Sequence, residues 1–587
     1  MKKIKILFMT VTIMLLFVLS ANAAYYESED NNSYANADVI SQECQVMGTI
    51  NSGVDNDYYK IVPTSNGKVS VDFCHNYVDS GRAWLIYIYK FDNGEYIELS
   101  CTGVAMNSNE TIALPFIGAV KGEAYYIRVV KDYWDDIVGK QYTLKVSFEK
   151  SEYYEREVNN SYGRSTEITL NKSYSGIINN GGDNDYYKIV PTSNGKISIN
   201  FCHSYIDNGR GWLIYIYKYD NGEYIELSCT GVPMNSKETI ALPFIGAVKG
   251  ETYYIRVVKD YWDDVVGHKY TLKTSFEKSN YFEREINDNY QRATKLASGT
   301  KFTGVLNKGS DEDVYKFVAP SNGILNIDFS HLVEDNGRAW WVGVYVYTGD
   351  EYLKLSDSYI ALNSSKTMQI PSVGATKKTI YYICVAKDYW DDVVGKEYSL
   401  KVNFTIPDIN NLKYSYSTSA IKLAWSKVSG ATGYKVYQYN TSKKKYIEIA
   451  DTKKNSYKIS SLKAGTTYKF AVRAYTKVDG VTYYSSYAKI SASTAPAQVT
   501  KLTFKSTGLR TGVVSFAKVS GATGYQIYYS TSKNGTYKKL ATTSKTTYTY
   551  KKFSSFKTYY IKVRAYKKVS GKTVYGAFST VKSVKIK

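Results

Sequence analysis

The stretch DNDYYKIVPTSNGKVSVDFCH, residues 55–75, decides the fold. After the Asn66-Gly67 turn signal its second half alternates: Val69, Val71 and Phe73 on one side, Ser70, Asp72 and Cys74 on the other. That period of two is a strand with one buried face. The stretch returns 128 residues later as DNDYYKIVPTSNGKISINFCH, 183–203, and in drifted form as DEDVYKFVAPSNGILNIDFSH, 311–331. Trp84, Trp212 and Trp340 keep the same spacing, as do Arg82, Arg210 and Arg338, and His75, His203 and His331. A fixed period means tandem units. This one is too long for a solenoid repeat, so it predicts three separate domains, 24–150, 151–278 and 279–406.

Within the first unit further strands follow the same alternation: WLIYIYKF from Trp84, EYIELSC from Glu95, ETIALPF from Glu110, AYYIRVV from Ala124 and QYTLKVSF from Gln141. Asn-Gly and Lys-Gly turns separate them. Tyrosine is abundant (61 residues) and proline sparse (9), and little of the chain has helical periodicity. The fold class expected is all-β, with antiparallel sandwiches or jelly rolls. The hexapeptide KDYWDD, at 131–136, 259–264 and 387–392, falls between the last two strands of each unit.

From Pro407 the period changes to 91 residues: WSKVSGATGYKVYQY at Trp425 returns as FAKVSGATGYQIYYS at Phe516, and TYKFAVRAY at Thr467 as TYYIKVRAY at Thr558. Domains of this length, with an early Trp and a Tyr opening a later strand (Tyr468, Tyr559), resemble fibronectin type III domains. The resemblance covers 407–496 and 497–587, and it implies that Trp425, Phe516 and both tyrosines serve the core.

The first 23 residues read as a secretory signal peptide: Lys2, Lys3 and Lys5, an apolar run Ile6–Val18, then Ala21-Asn22-Ala23 for cleavage. No later apolar run approaches the ~20 residues that span a bilayer. The expected location is extracellular, free or associated with the cell wall. Net charge is +21, unevenly placed. Residues 407–587 hold 34 Lys and Arg against Asp408, Glu448, Asp451 and Asp479, or +30. Subtracting that and the +3 of the leader leaves −12 for residues 24–406. An acidic body with a basic tail implies two kinds of partner: a polysaccharide or matrix protein for the body, and an anionic cell-wall polymer for the tail. Export argues against nucleic acid.

Each long unit opens on an acidic-amide cluster: Glu27, Glu29, Asn31 and Asn32; Glu155, Glu157, Asn159 and Asn160; Glu283, Glu285, Asn287 and Asp288. Some 25 residues on come Asp55 and Asp57, Asp183 and Asp185, and Asp311 and Asp313. This ordered combination, over 24–406, resembles the bacterial pre-peptidase C-terminal domain, which includes the collagen-binding domains of secreted collagenases. The resemblance implies three jelly-roll β-sandwiches in tandem, followed by the two fibronectin type III-like sandwiches. Some members of that family bind calcium through these segments, so the resemblance also implies that these eighteen residues could be calcium ligands, with Asn31 or Asn32, and its counterparts, taking part. Calcium takes 6–8 oxygens at ~2.3–2.6 Å, so the chemistry suits the residue types. The same residues also serve as ordinary turn formers.

Three copies of KDYWDD fit a single catalytic site poorly. They suit a structural latch, or a platform on which Tyr133 and Trp134, Tyr261 and Trp262, and Tyr389 and Trp390 stack on a sugar or peptide. Trp84, in an apolar strand beside Arg82, reads as core. Cys74 and Cys101 repeat as Cys202 and Cys229, and both positions change together in the third unit, to Ser330 and Asp357. Two disulfides, Cys74–Cys101 and Cys202–Cys229, are therefore expected in an oxidising compartment, the alternative being buried thiols. Cys44 and Cys384 have no repeat partner. No HExxH or GxSxG occurs, and no Cys/His spacing suits zinc. The function expected is a non-enzymatic, multivalent binding or adhesion protein of a bacterial surface. The alternative is an accessory scaffold of a separately encoded secreted hydrolase.

Overall fold

The computed structural model describes residues 25–587 apart from 80, 107–109, 134–136, 236–237, 262–263, 334–337, 362–366, 390–392 and 479. The leader therefore lies outside the described residues. The chain is all-β, and among the described residues the one helical element is a short 3-10 turn at Tyr162–Arg164. No described helix is long and apolar enough to cross a membrane.

Each of the first three units is two facing sheets. In the second, one sheet runs in the order Thr166–Glu167, Asn184–Ile189, Tyr253–Lys259, Arg210–Asp220, Glu223–Pro233. The other runs Ser173–Ile177, Lys269–Lys278, Gly195–His203, Ile240–Ala241, with Ile245–Ala247 beside Gly195–His203. Apart from the hairpin of Arg210–Asp220 with Glu223–Pro233 and the short pieces Ile240–Ala241 and Ile245–Ala247, chain neighbours fall in opposite sheets, the jelly-roll arrangement. The alternation of the opening stretch holds: Gly67–His75 buries every second residue. Trp84, Trp212 and Trp340 are fully buried, each against a phenylalanine and a histidine; the Trp84 ring lies 5.6 Å from Phe73 and 4.4 Å from His75. The ETIALPF segment forms only the short strand Ile112–Ala113, and Ile117–Ala119 follows it as a separate piece, because Pro115 interrupts the ladder.

The tail consists of two smaller sandwiches. Three strands, Lys413–Tyr416, Ile421–Ala424 and Ser456–Ile459, face a sheet of Lys445–Thr452, Gly433–Asn440, Thr467–Val478 and Val481–Tyr484, with Ala488–Ser493 on the edge of Thr467–Val478. The last ninety residues repeat this order. Trp425 and Phe516 are buried, and each pairs edge-on with a core tyrosine, Tyr434 or Tyr525. The hydroxyls of Tyr468 and Tyr559 accept from the backbone N–H five residues upstream, at Lys463 and Ser554. These are the tyrosine corners expected from the sequence.

The first two units keep separate cores, and the junctions between units are packed. The Lys90 ammonium, buried at the end of the first unit, donates to the Glu157 carbonyl at 2.9 Å. Asp92 pairs with Arg164 at 2.8 Å. The second junction repeats both contacts: Lys218 to the Glu285 carbonyl at 3.0 Å, and Asp220 to Arg292 at 2.8 Å. Where no further 128-residue unit adjoins among the described residues, the residues differ. The third unit carries Val346 and Thr348 at the Lys and Asp positions, and the first carries Asn36 at the Arg position. The third unit joins the tail through one continuous apolar core running through Ile406 and Ile409. Replacing Lys218 by Val, the residue its equivalent strand already tolerates, leaves a buried carbonyl unpaired. It should destabilise the second junction by about 1–3 kcal/mol, read as a lowered melting temperature. An unchanged melt would make this contact dispensable.

Candidate metal centre

In the second unit the segment Tyr154–Asn160 lies along the strand Ser173–Ile177, held by a parallel bridge from Tyr154 to Ser175. This turns Glu155 inward, where its carboxylate accepts from Ile177 N at 2.9 Å. Glu157 accepts from the Asn179 side chain at 2.9 Å. Asp183 accepts from Asn179 N at 2.7 Å and Asp185 from the Tyr270 hydroxyl at 2.6 Å. Tyr270 and Tyr187 share a hydrogen bond of 2.7 Å at the floor of the cluster. Gly176 is required here, since a Cβ would sit 2.4 Å from the Tyr270 ring and 2.5 Å from the Tyr187 hydroxyl.

Glu155, Glu157, Asp183 and Asp185 are all buried, and among the described residues no ion pair compensates them. Burial, then mutual repulsion, drives the carboxyls of Glu155 and Asp185 well above the usual carboxylate range. Glu157 is raised for the same reasons, and Asp183 is pushed up to about 6, chiefly by burial. Oxygens of Glu155, Glu157 and Asp185 lie within 4.8 Å of one another. That spread matches oxygens set around one calcium ion at ~2.4 Å. One amide points the same way: the Asn179 Oδ1 is buried with no hydrogen-bond partner, and a cation would satisfy it. The Asn159 amide nitrogen donates to Asp185 and to Glu157, each at 3.3 Å.

The third unit rebuilds the site with Glu283, Glu285 and Asp313, over Tyr315 and Tyr398. Asn287 Oδ1 and Asn307 Oδ1 are its buried, unpartnered oxygens. A second triplet, Glu285, Asp288 and Asp311, shares Glu285 with the first. Burial raises Asp311 to about 8 and Asp313 to about 6. Both sites could hold calcium through carboxylates and amides alone.

The first unit does not gather the same set. Glu29 is exposed and accepts from Asn51, and Asn31 turns its amide to Asp38 at 3.1 Å. Only Glu27 and Asp57 approach the tyrosine pair, Tyr59 and Tyr142, and burial pushes Asp57 up to about 9; Asp55 accepts from Asn51 N. The carbonyls of Glu157 and Glu285 are pinned by Lys90 and Lys218 of the preceding unit, and among the described residues no such contact holds Glu29. Asn32 and Asn160 also stand apart, accepting from Asn56 N and Asn184 N as turn residues. The ligand-type residues missed from the sequence are Asn179 and Asn307. Their repeat position, four residues before the first Asp of the pair, was the available signal.

Tyr133, Tyr261 and Tyr389 are 82%, 80% and 80% exposed, whereas Trp134, Trp262 and Trp390 lie outside the described residues. The disulfide expectation is overturned: no bond links Cys74 to Cys101 or Cys202 to Cys229. Cys74 points outward from Gly67–His75, and Cys101 points outward from Glu95–Ala105 in the opposite sheet. The whole sandwich separates the two sulfurs, and Cys202 and Cys229 repeat the arrangement.

Residues 407–488 match the fibronectin type III domain family. Among solved structures, the chain is similar to a two-domain fibronectin type III segment of chicken tenascin, at 20% identity over 30% of this chain and 99% of that one, with a TM-score of 0.22. It is also similar to the FN1–FN3 domains of chicken CNTN1, at 13% identity over 46% of this chain and all of that one, with a TM-score of 0.22. No curated protein matches the chain.

Proposed function

We propose that the protein is a secreted, non-catalytic, multivalent binding protein of a bacterial surface. Three pre-peptidase C-terminal-like domains, of which the second and third hold calcium, present one ligand platform three times to a polysaccharide or matrix protein. The basic tail retains the molecule on an anionic wall polymer. The carrying observation is the repetition itself: an almost fully exposed tyrosine at one loop position in three consecutive units. Single weak contacts made together gain ~100-fold or more in avidity when the geometry permits. Packed junctions favour this, because they hold the platforms at fixed separations. Fibronectin type III domains are common in extracellular binding proteins, which agrees with the role.

The test is a glycan and matrix-protein array probed with the full mature chain and with the triple variant Tyr133→Ala, Tyr261→Ala, Tyr389→Ala. A ligand should appear, and the variant should lose ~100-fold or more of apparent affinity, with each single variant losing far less. Equal binding by wild type and triple variant would remove the platform assignment.

A further inference from the structure

The last domain is unusual in charge. Residues 497–587 hold 19 Lys and Arg residues and no Asp or Glu. A sandwich of this size with no internal counter-charge repels itself. Its cations are also organised. On the outward face of the strand Thr558–Val569, Lys562, Arg564 and Lys568 alternate with core residues, so the first two stand ~6.7 Å apart. Arg564 is held rigidly by neutral groups alone. Its Nε and Nη2 donate to Gln526 Oε1 at 3.0 and 2.8 Å, and Nη2 also to the Tyr528 hydroxyl at 3.1 Å. The Tyr575 ring stacks on its guanidinium at 3.9 Å and Phe578 lies at 4.9 Å. Lys562 sits over Tyr537 at 4.1 Å and Phe578 at 4.5 Å.

The preceding domain repeats the arrangement 91 residues earlier. Arg473 lies 3.7 Å from the Tyr484 ring and 4.9 Å from Tyr487, and its Nε donates to the Tyr437 hydroxyl at 3.0 Å. The two carboxylates on that face, Glu448 and Asp451, are both taken by Lys435, at 2.8 and 3.6 Å. Both arginines therefore keep an unneutralised charge at fixed positions among aromatic faces. Rigid cations suit the anions of a polymer, and tyrosine faces suit its sugar or polyol units.

We infer that the outward faces of Thr467–Val478 and Thr558–Val569 form a binding strip for an anionic glycopolymer, seated on Arg473 and Arg564 with Lys562 and Lys568 alongside. This rests on the tail retention proposed above and locates it. The strip takes phosphate or carboxylate groups, so a polyol phosphate and a polyuronate are its two possible sources.

The experiment measures binding of the full mature chain to poly(glycerol phosphate), a polyuronate, neutral dextran and single-stranded DNA across a salt series. One variant is Lys562→Gln/Lys568→Gln, which keeps the arginine grip intact; the other is Arg564→Gln. The charge-matched control is Lys505→Gln/Lys551→Gln, at exposed positions on the opposite sheet side. Binding to either glycopolymer should fall with salt, be absent for dextran, and drop roughly tenfold in the lysine pair with little change in the control. Equal losses in the control would overturn the strip while leaving charge-based retention standing. No binding to any polyanion would overturn both. Tighter binding to DNA than to either glycopolymer would overturn the ligand class.

Discussion

Adding calcium to the chelator-treated chain should raise the melting transition of the second and third domains by roughly 15 °C. The figure follows from about 4 kcal/mol of linkage at a thousandfold excess over the dissociation constant, spread over domains of this length. The effect should depend on pH with a definite sign. In the metal-free fold, burial raises Asp183 to about 6 and Asp311 to about 8, above the ~4 of an unfolded carboxyl. Folded carboxyls then bind more protons than unfolded ones. Metal-free stability should therefore be fully present near pH 4 and decline as pH rises through 6 towards 8. Calcium replaces those protons, so the calcium-induced shift should grow over the same interval. Melting curves at pH 5 and pH 8, with calcium and with chelator, check both statements. A calcium shift that is absent at pH 8 would remove the metal assignment.

The second large effect concerns Gly246. A Cβ built there would lie 1.9 Å from the Glu283 carbonyl oxygen and 2.7 Å from its carbon. Backbone cannot yield that distance, so Gly246→Ala should force the second and third domains apart while leaving each sandwich intact. Small-angle scattering should report a more flexible chain, and proteolysis should begin near residues 279–290. The equivalent Gly374 supplies the control: nothing lies within 4 Å of a Cβ there, and Gly374→Ala should change neither readout. An unchanged scattering profile for Gly246→Ala would contradict the packed junction.

Much of this architecture was legible in the sequence because it rests on periodicity. The alternation in Gly67–His75, the three buried tryptophans and the two tyrosine corners are local patterns repeated in register. The disulfide error shows the limit. Alternation already set Cys74 on the face away from Phe73, but which sheet carried Cys101 depended on strand order, which spacing does not encode. The candidate site shows the same division. Residue types and order were readable, yet the gathering of Glu155, Glu157 and Asp185, and the failure of Glu29 to join an equivalent cluster, depend on whether a preceding domain pins the segment. Arg164 is distant in sequence from Lys90 and Asp92, and only the junction places them together. Their absence at the array ends, as Val346, Thr348 and Asn36, was visible but had no meaning without the contacts.

Calcium stoichiometry of the full mature chain, measured by isothermal titration after chelation, is the most direct test of metal-held domains arranged for binding. The expected result is at least two ions per chain, with loss of the second-domain ion in Glu155→Gln and of the third-domain ion in Glu283→Gln, both variants remaining folded. No heat of calcium binding at millimolar concentration, or undiminished binding in the double variant, would contradict it.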